Sequence, residues 1–198
     1  MAALARAVSS GALGLNRARV CALGLALALS ACRPHRGAEL YAIVGPNPEQ
    51  HVEFSPLSSY AEYLVIPGVR RELKITLASY KASCDSFVEP GDRDTSATIT
   101  LIVPADVELG PGSYVWAGHE AHGGSEERPE RPYALPLVRL GHHGFVLPAG
   151  GEIQLDSVAT AQDGRVRGLL NFEFAGDGDH AAASLKGSFE AKLCKVRL

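Results

Sequence analysis

The stretch RVRGLLNFEF (165–174) alternates apolar and polar side chains, with Val166, Leu170, Phe172 and Phe174 falling on one face. A side-chain period of two is the signature of a strand with one buried face; a helix would scatter these residues around its axis. Two neighbouring segments follow the same rule. GEIQLDSVATA precedes it across QDG, and AAASLKGSFEAKL follows it across DGDH. Asp-Gly pairs permit the positive φ angles of tight hairpins. In the last segment Leu185, Phe189 and Leu193 point one way, while Lys186, Ser188, Glu190 and Lys192 point the other. The expectation is a C-terminal meander of three antiparallel strands.

The alternation extends upstream. RELKITLASY sets Leu73, Ile75 and Leu77 against Lys74 and Thr76, and SATITLIVP sets Ile99, Leu101 and Val103 against Thr98 and Thr100. Shorter candidates are ELYAIVG, HVEFS, AEYLVIPG and GPGSYVWAG, followed by RPYALPLVRLG and GFVLPAGG. With Gly 21 and Pro 12 supplying turns, the pattern predicts an all-β fold: an antiparallel sandwich or barrel of about 8–10 strands. Segments containing proline belong at sheet edges, because proline donates no ladder hydrogen bond. WAGHEAHGGSEERPERP, Trp116 to Pro132, reads as a long polar loop. No internal repeat interrupts residues 39–198, which are expected to form a single β-domain.

The amino terminus has a different composition. Residues 1–31 contain Arg6, Arg17 and Arg19 and no acid, so the rest of the chain holds 16 basic and 22 acidic residues, a net charge of −6. A surface of that sign repels phosphate backbones and anionic lipid headgroups, so neither is an expected electrostatic partner, and nucleic-acid binding is disfavoured. The apolar run VCALGLALAL, Val20 to Leu29, has the length of a signal-peptide core and is too short to span a bilayer as a helix. It ends in Leu29-Ser30-Ala31-Cys32. Small residues suit a peptidase pocket, and the cysteine adds a thiol that a lipid donor can alkylate. This LSAC resembles the lipobox of bacterial lipoproteins. The resemblance implies diacylglyceration of Cys32, cleavage before it, and residues 1–31 as a signal peptide. Residues 32–38 would then form a short lipidated tether, and the chain is expected to partner a membrane through that anchor. Arg33 stands where enteric lipoproteins retained at the inner membrane carry Asp, so the expected address is the outer membrane, periplasmic or surface-facing.

With Cys32 assigned to lipid and Cys21 to the signal core, Cys84 and Cys194 remain. An even pair in an exported chain reads as a disulfide. GRVRGLLNFEF…GSFEAKLC is also similar to small β-rich lipoproteins of Gram-negative bacteria, which lack an assigned function. Those proteins join a cysteine after an early strand to one closing the final strand, and the resemblance implies the same crosslink here.

Candidate chemistry is sparse. His119 and His122 form HEAH, and His142-His143 precede Gly144. Imidazoles so spaced can converge on zinc, copper or nickel. HEAH is not the HExxH helix of zinc proteases, and its glycine-rich surroundings oppose a helix. HGGS (122–125) lacks the GxSxG nucleophile elbow that would give it meaning. DGDH reads as a hairpin turn before it reads as a calcium loop. Tyr114 and Trp116 fit packing as readily as a ligand pocket, and SEERPER is a solvated charge cluster. The expectation is therefore a non-enzymatic β-domain for binding, scaffolding or envelope-surface roles. It carries no catalytic residues, no cofactor and no metal. The alternatives are a lipid or small-molecule carrier with a lipocalin-like barrel, and a metal-binding protein using the His119, His122, His142 and His143 loops.

Overall fold

The computed structural model describes residues 38–44, 51–82, 84, 90–118, 129–146, 148–176 and 180–197. Among them eleven strands join one sheet: β1 (Glu39–Val44), β2 (His51–Phe54), β3 (Ser58–Ile66), β4 (Arg70–Ala78), β5 (Thr95–Pro104), β6 (Gly112–Val115), β7 (Tyr133–Leu140), β8 (Phe145–Val146), β9 (Pro148–Val158), β10 (Arg165–Phe174) and β11 (His180–Arg197). The all-β expectation holds. The count is one above the expected range; each of the eleven alternating segments holds one strand, β8 being only two residues long beside β7.

The hydrogen-bonded order is β6-β9-β10-β11-β3-β4-β5-β7-β8, with β1 on β11 and β2 on β1. The expected meander is β9-β10-β11, antiparallel throughout. The Asp-Gly turn between β9 and β10 places Asp163 at φ 63. One pairing departs from the antiparallel expectation: β11 and β3 run parallel, with Lys192 level with Tyr60 and Arg197 with Leu64. Chain direction explains it. β1 is antiparallel to β11 and β2 to β1, so β2 runs the way β11 does. Residues 55–57 carry the chain from β2 to β3 without a reversal, so β3 reaches the same edge of β11 still parallel to it.

β11, at 18 residues, is long enough to serve two partners on that edge. Its first half pairs with β1 and its second half with β3, and between them Gly187 adopts φ 119. That backbone conformation favours glycine because a Cβ would clash there. On the other side, β9 gains an extra residue at two points of its pairing with β10, near Gly168 and near Phe174. Such bulges bend and twist a sheet. At Gly168 an added Cβ would lie 2.1 Å from the Gln154 carbonyl oxygen, so only glycine lets β10 approach β9 that closely.

These bends curl the sheet until its two flanks meet. Trp116, just past β6, forms a parallel bridge with Ala134 of β7, and the Ala117 N–H donates to the Ala134 carbonyl at 3.4 Å. Pro136 occupies β7 between that bridge and the β8 pairing at Val138. Contrary to the expectation for proline-bearing strands, β7 lies between β5 and β8 and not at the sheet's edge, although β8 covers it only at Val138 and Arg139.

The concave side is packed. Leu73, Ile75 and Leu77 of β4, Ile99, Leu101 and Val103 of β5, and Val166, Leu170, Phe172 and Phe174 of β10 are all buried, as the alternation predicts. Leu185, Phe189 and Leu193 of β11 join them, while Lys186, Glu190 and Lys192 are exposed. Thr76 departs from the expected pattern: it is buried although it sits on the outer face of β4.

Candidate functional site

Cys84 and Cys194 form the expected disulfide, with their Cα atoms 4.7 Å apart. Its position follows from a local irregularity. Leu193 pairs with Ala61 and Lys195 with Glu62, so Cys194 is an extra residue in β11 with no register partner on β3. Leu193 points into the core, alternation leaves Cys194 outside the core cluster, and the extra residue shifts the inward phase to Val196. The segment after β4 folds back to meet it: Ser58 Oγ donates to the Tyr80 carbonyl at 2.6 Å and accepts from the Ala82 N–H at 3.2 Å. From the β9–β10 turn, Gln162 Nε2 donates to the Cys194 carbonyl at 2.8 Å. The crosslink therefore lies across the only parallel pairing among the described strands.

The other sequence-predicted residues fall partly outside the described part of the chain. Cys32, His119 and His122 lie outside the described residues. His142 and His143 sit on the 3-10 turn Gly141–His143 between β7 and β8, with His142 exposed. Among the described residues no group of three or more His, Cys, Asp or Glu side chains converges as a metal site. Tyr114 is buried, and its hydroxyl donates to the Gly110 carbonyl at 2.8 Å, closing the turn before β6. Trp116 packs against the core. Both aromatics thus serve the fold.

Two further surface features stand out. One is an open cleft of about 360 Å³ between the loop after β5 (Pro104, Asp106, Val107) and the segment before β7 (Pro129, Glu130). Among the described residues its lining combines two proline rings and a valine with the carboxylates of Asp106 and Glu130. The other is a charged outer wall. Arg165 and Arg167 both engage the Glu190 carboxylate, the latter at 2.6 Å; Lys186 engages Glu173; Lys192 meets Asp163 at 2.7 Å and Lys195 meets Glu62 at 3.2 Å. These groups are largely exposed, and pairs of this kind are worth about 0–1 kcal/mol each. Cross-strand pairing of opposite charges chiefly keeps the wall soluble and in register.

Burial raises the pKa values of the Tyr63, Tyr80 and Tyr133 phenols above the ordinary tyrosine value; nearby Arg71, Arg139 and Arg70, respectively, work against it. A raised phenol stays neutral near neutrality.

Compared with protein-family models, with curated proteins and with solved structures, the chain matches none. The fold and the disulfide therefore define the class of the described domain by themselves: a disulfide-bonded, curled β-sheet domain.

Proposed function

We propose that this chain is an outer-membrane-anchored lipoprotein whose β-domain acts without catalysis, as a binding, scaffolding or envelope-surface module. The observation that carries the reading is Leu29-Ser30-Ala31-Cys32 at the end of an apolar core preceded by arginines. The Cys84–Cys194 bond supports the same address, since disulfides persist in oxidising compartments and are rare in the cytosol. The packed concave side supports a module over a carrier: a carrier needs interior volume for its cargo, and here Phe172, Phe174, Leu155 and Ile99 occupy that side.

Metabolic labelling with a palmitate analogue tests the anchor. Label is expected on the mature chain and absent from Cys32→Ser, with the wild type fractionating with outer membranes. An unlabelled mature chain, or label that survives Cys32→Ser, would overturn the reading.

A further inference from the structure

Resting on that lipid-anchor reading, we propose that one particular wall of the β-domain lies against the bilayer: the wall around the middle of β11, bracketed by Tyr41, Leu57 and Leu169. The register of β11 locates it. Lys186 is the last residue paired with β1 and Lys192 the first paired with β3, so residues 187–191 face neither strand. The chain comes in beside this gap. Ala38, only 3% exposed and part of the core, immediately precedes Glu39, which pairs with Lys186. On the far side of the gap Ser59 Oγ donates to the Glu190 carbonyl.

Three of the large apolar side chains left exposed surround this point. Tyr41 (43% exposed) stands on β1 opposite Ser184, and Leu169 (41%) stands on β10 opposite Ser188. Leu57 (69%), the most exposed of them, lies in the link to β3, where its N–H donates to the Ala78 carbonyl at 2.8 Å. Between them Lys186 pairs with Glu173, and Glu190 pairs with Arg165 and Arg167.

Tether length selects the occupant. Six residue steps separate Cys32 from Ala38, which at full extension span about 20 Å. A domain of this size has a radius of gyration of about 15 Å and is on the order of 40 Å across. A leash that short holds the wall where the chain comes in near the headgroups and keeps the opposite wall away. Tyrosine and leucine at such a surface match the interfacial preference of amphipathic aromatic and aliphatic side chains. Phe145, 56% exposed on β8, is the natural reference, because β7 and β8 lie four and five strands from β11 in the sheet order.

The test uses the lipidated full chain, purified from a Gram-negative host and reconstituted on vesicles of phosphatidylethanolamine and phosphatidylglycerol. An environment-sensitive fluorophore is placed at Leu57→Cys, at Leu169→Cys or at Phe145→Cys; the second position serves if the first variant fails to fold. Quenching by brominated lipid is expected to be at least about fivefold stronger at 57 and 169 than at 145, as for groups held within the headgroup region. Equal quenching at the three positions overturns the orientation. So does protection of position 57 from aqueous iodide without quenching by lipid, which would mean that a protein covers the patch. Intact mass on the same samples separates the two readings: a chain without acyl groups removes the anchor and this inference together, whereas an acylated chain with no difference among positions removes the orientation alone.

Discussion

Removing the disulfide should cost as much stability as a severe core truncation, and the cost can be worked from its place in the chain. Cys84 and Cys194 are 110 residues apart in sequence. In the chain-entropy model, closing a loop of that length lowers the entropy of the unfolded chain by about 16 cal/mol/K, worth about 4.8 kcal/mol at 25 °C. The native side adds little to offset this, because the bulge at Cys194 and the Ser58 and Gln162 hydrogen bonds already bring the two residues together. The perturbation is the Cys84→Ser, Cys194→Ser double variant, which avoids leaving one free thiol. With a urea m-value of about 2 kcal/mol/M, the midpoint should fall by about 2 M. In a thermal scan Tm should fall by about 10–20 °C, given 2–4 °C per kcal/mol for a domain of this size. Both are followed by circular dichroism on the soluble domain, with reduced wild type as a second comparison. A midpoint shift under about 0.5 M with an unchanged m-value would refute the reasoning: the crosslink would then be incidental to a sheet that holds its parallel seam unaided.

Further outcomes follow from packing and charge. Gly168→Ala should destabilise by about 1–3 kcal/mol or more, as overpacking does, because its Cβ would meet the Gln154 carbonyl; Gly110→Ala, with nothing within 4 Å, should leave the urea midpoint unchanged. Leu101→Ala, wholly buried in β5, should cost about 2–5 kcal/mol in the same titration. Glu190→Gln breaks its contacts with Arg165 and Arg167 on an exposed wall and should cost less than about 1 kcal/mol, the loss shrinking further in high salt. The raised phenols of Tyr63, Tyr80 and Tyr133 carry a sign. The unfolded chain ionises these groups first, so their contribution is fully present below pH about 10 and is lost as pH rises through the higher folded values. Urea midpoints should therefore fall across that alkaline window, and Tyr133→Phe should reduce the fall.

What the amino-acid order reveals here is what period-two alternation can carry. It names the inward faces of β4, β5, β10 and β11, and each turns out buried, because a half-buried strand exposes its choice of face residue by residue. The crosslink was legible from cysteine count and compartment. The parallel pairing was not, since direction depends on the link from β2 to β3 and leaves no periodic trace. Burial of Thr76 was equally hidden: its own strand gives it an outward position, and only the fold places cover there. The bulge at Cys194 is similarly silent, as inserting one residue changes register without changing composition. Tyr114 and Trp116 could be read as packing or as pocket, and the choice rested on neighbours far along the chain. The open cleft beside Pro104 is assembled from two loops about 25 residues apart, which no local motif announces.

The double duty of β11 bears on when the protein can acquire its fold. It is the last of the eleven strands to be synthesised, yet β1, β3 and β10 all hydrogen-bond to it. Until it emerges, the β1–β2 hairpin and the β3–β4–β5 ladder have no common neighbour, and an isolated hairpin is marginal in water. Pairings of such long sequence separation form slowly, because their closure entropy must be overcome first. In the strand order the two halves of the sheet, β6-β9-β10 and β3-β4-β5-β7-β8, are therefore joined only by the strand that is made last.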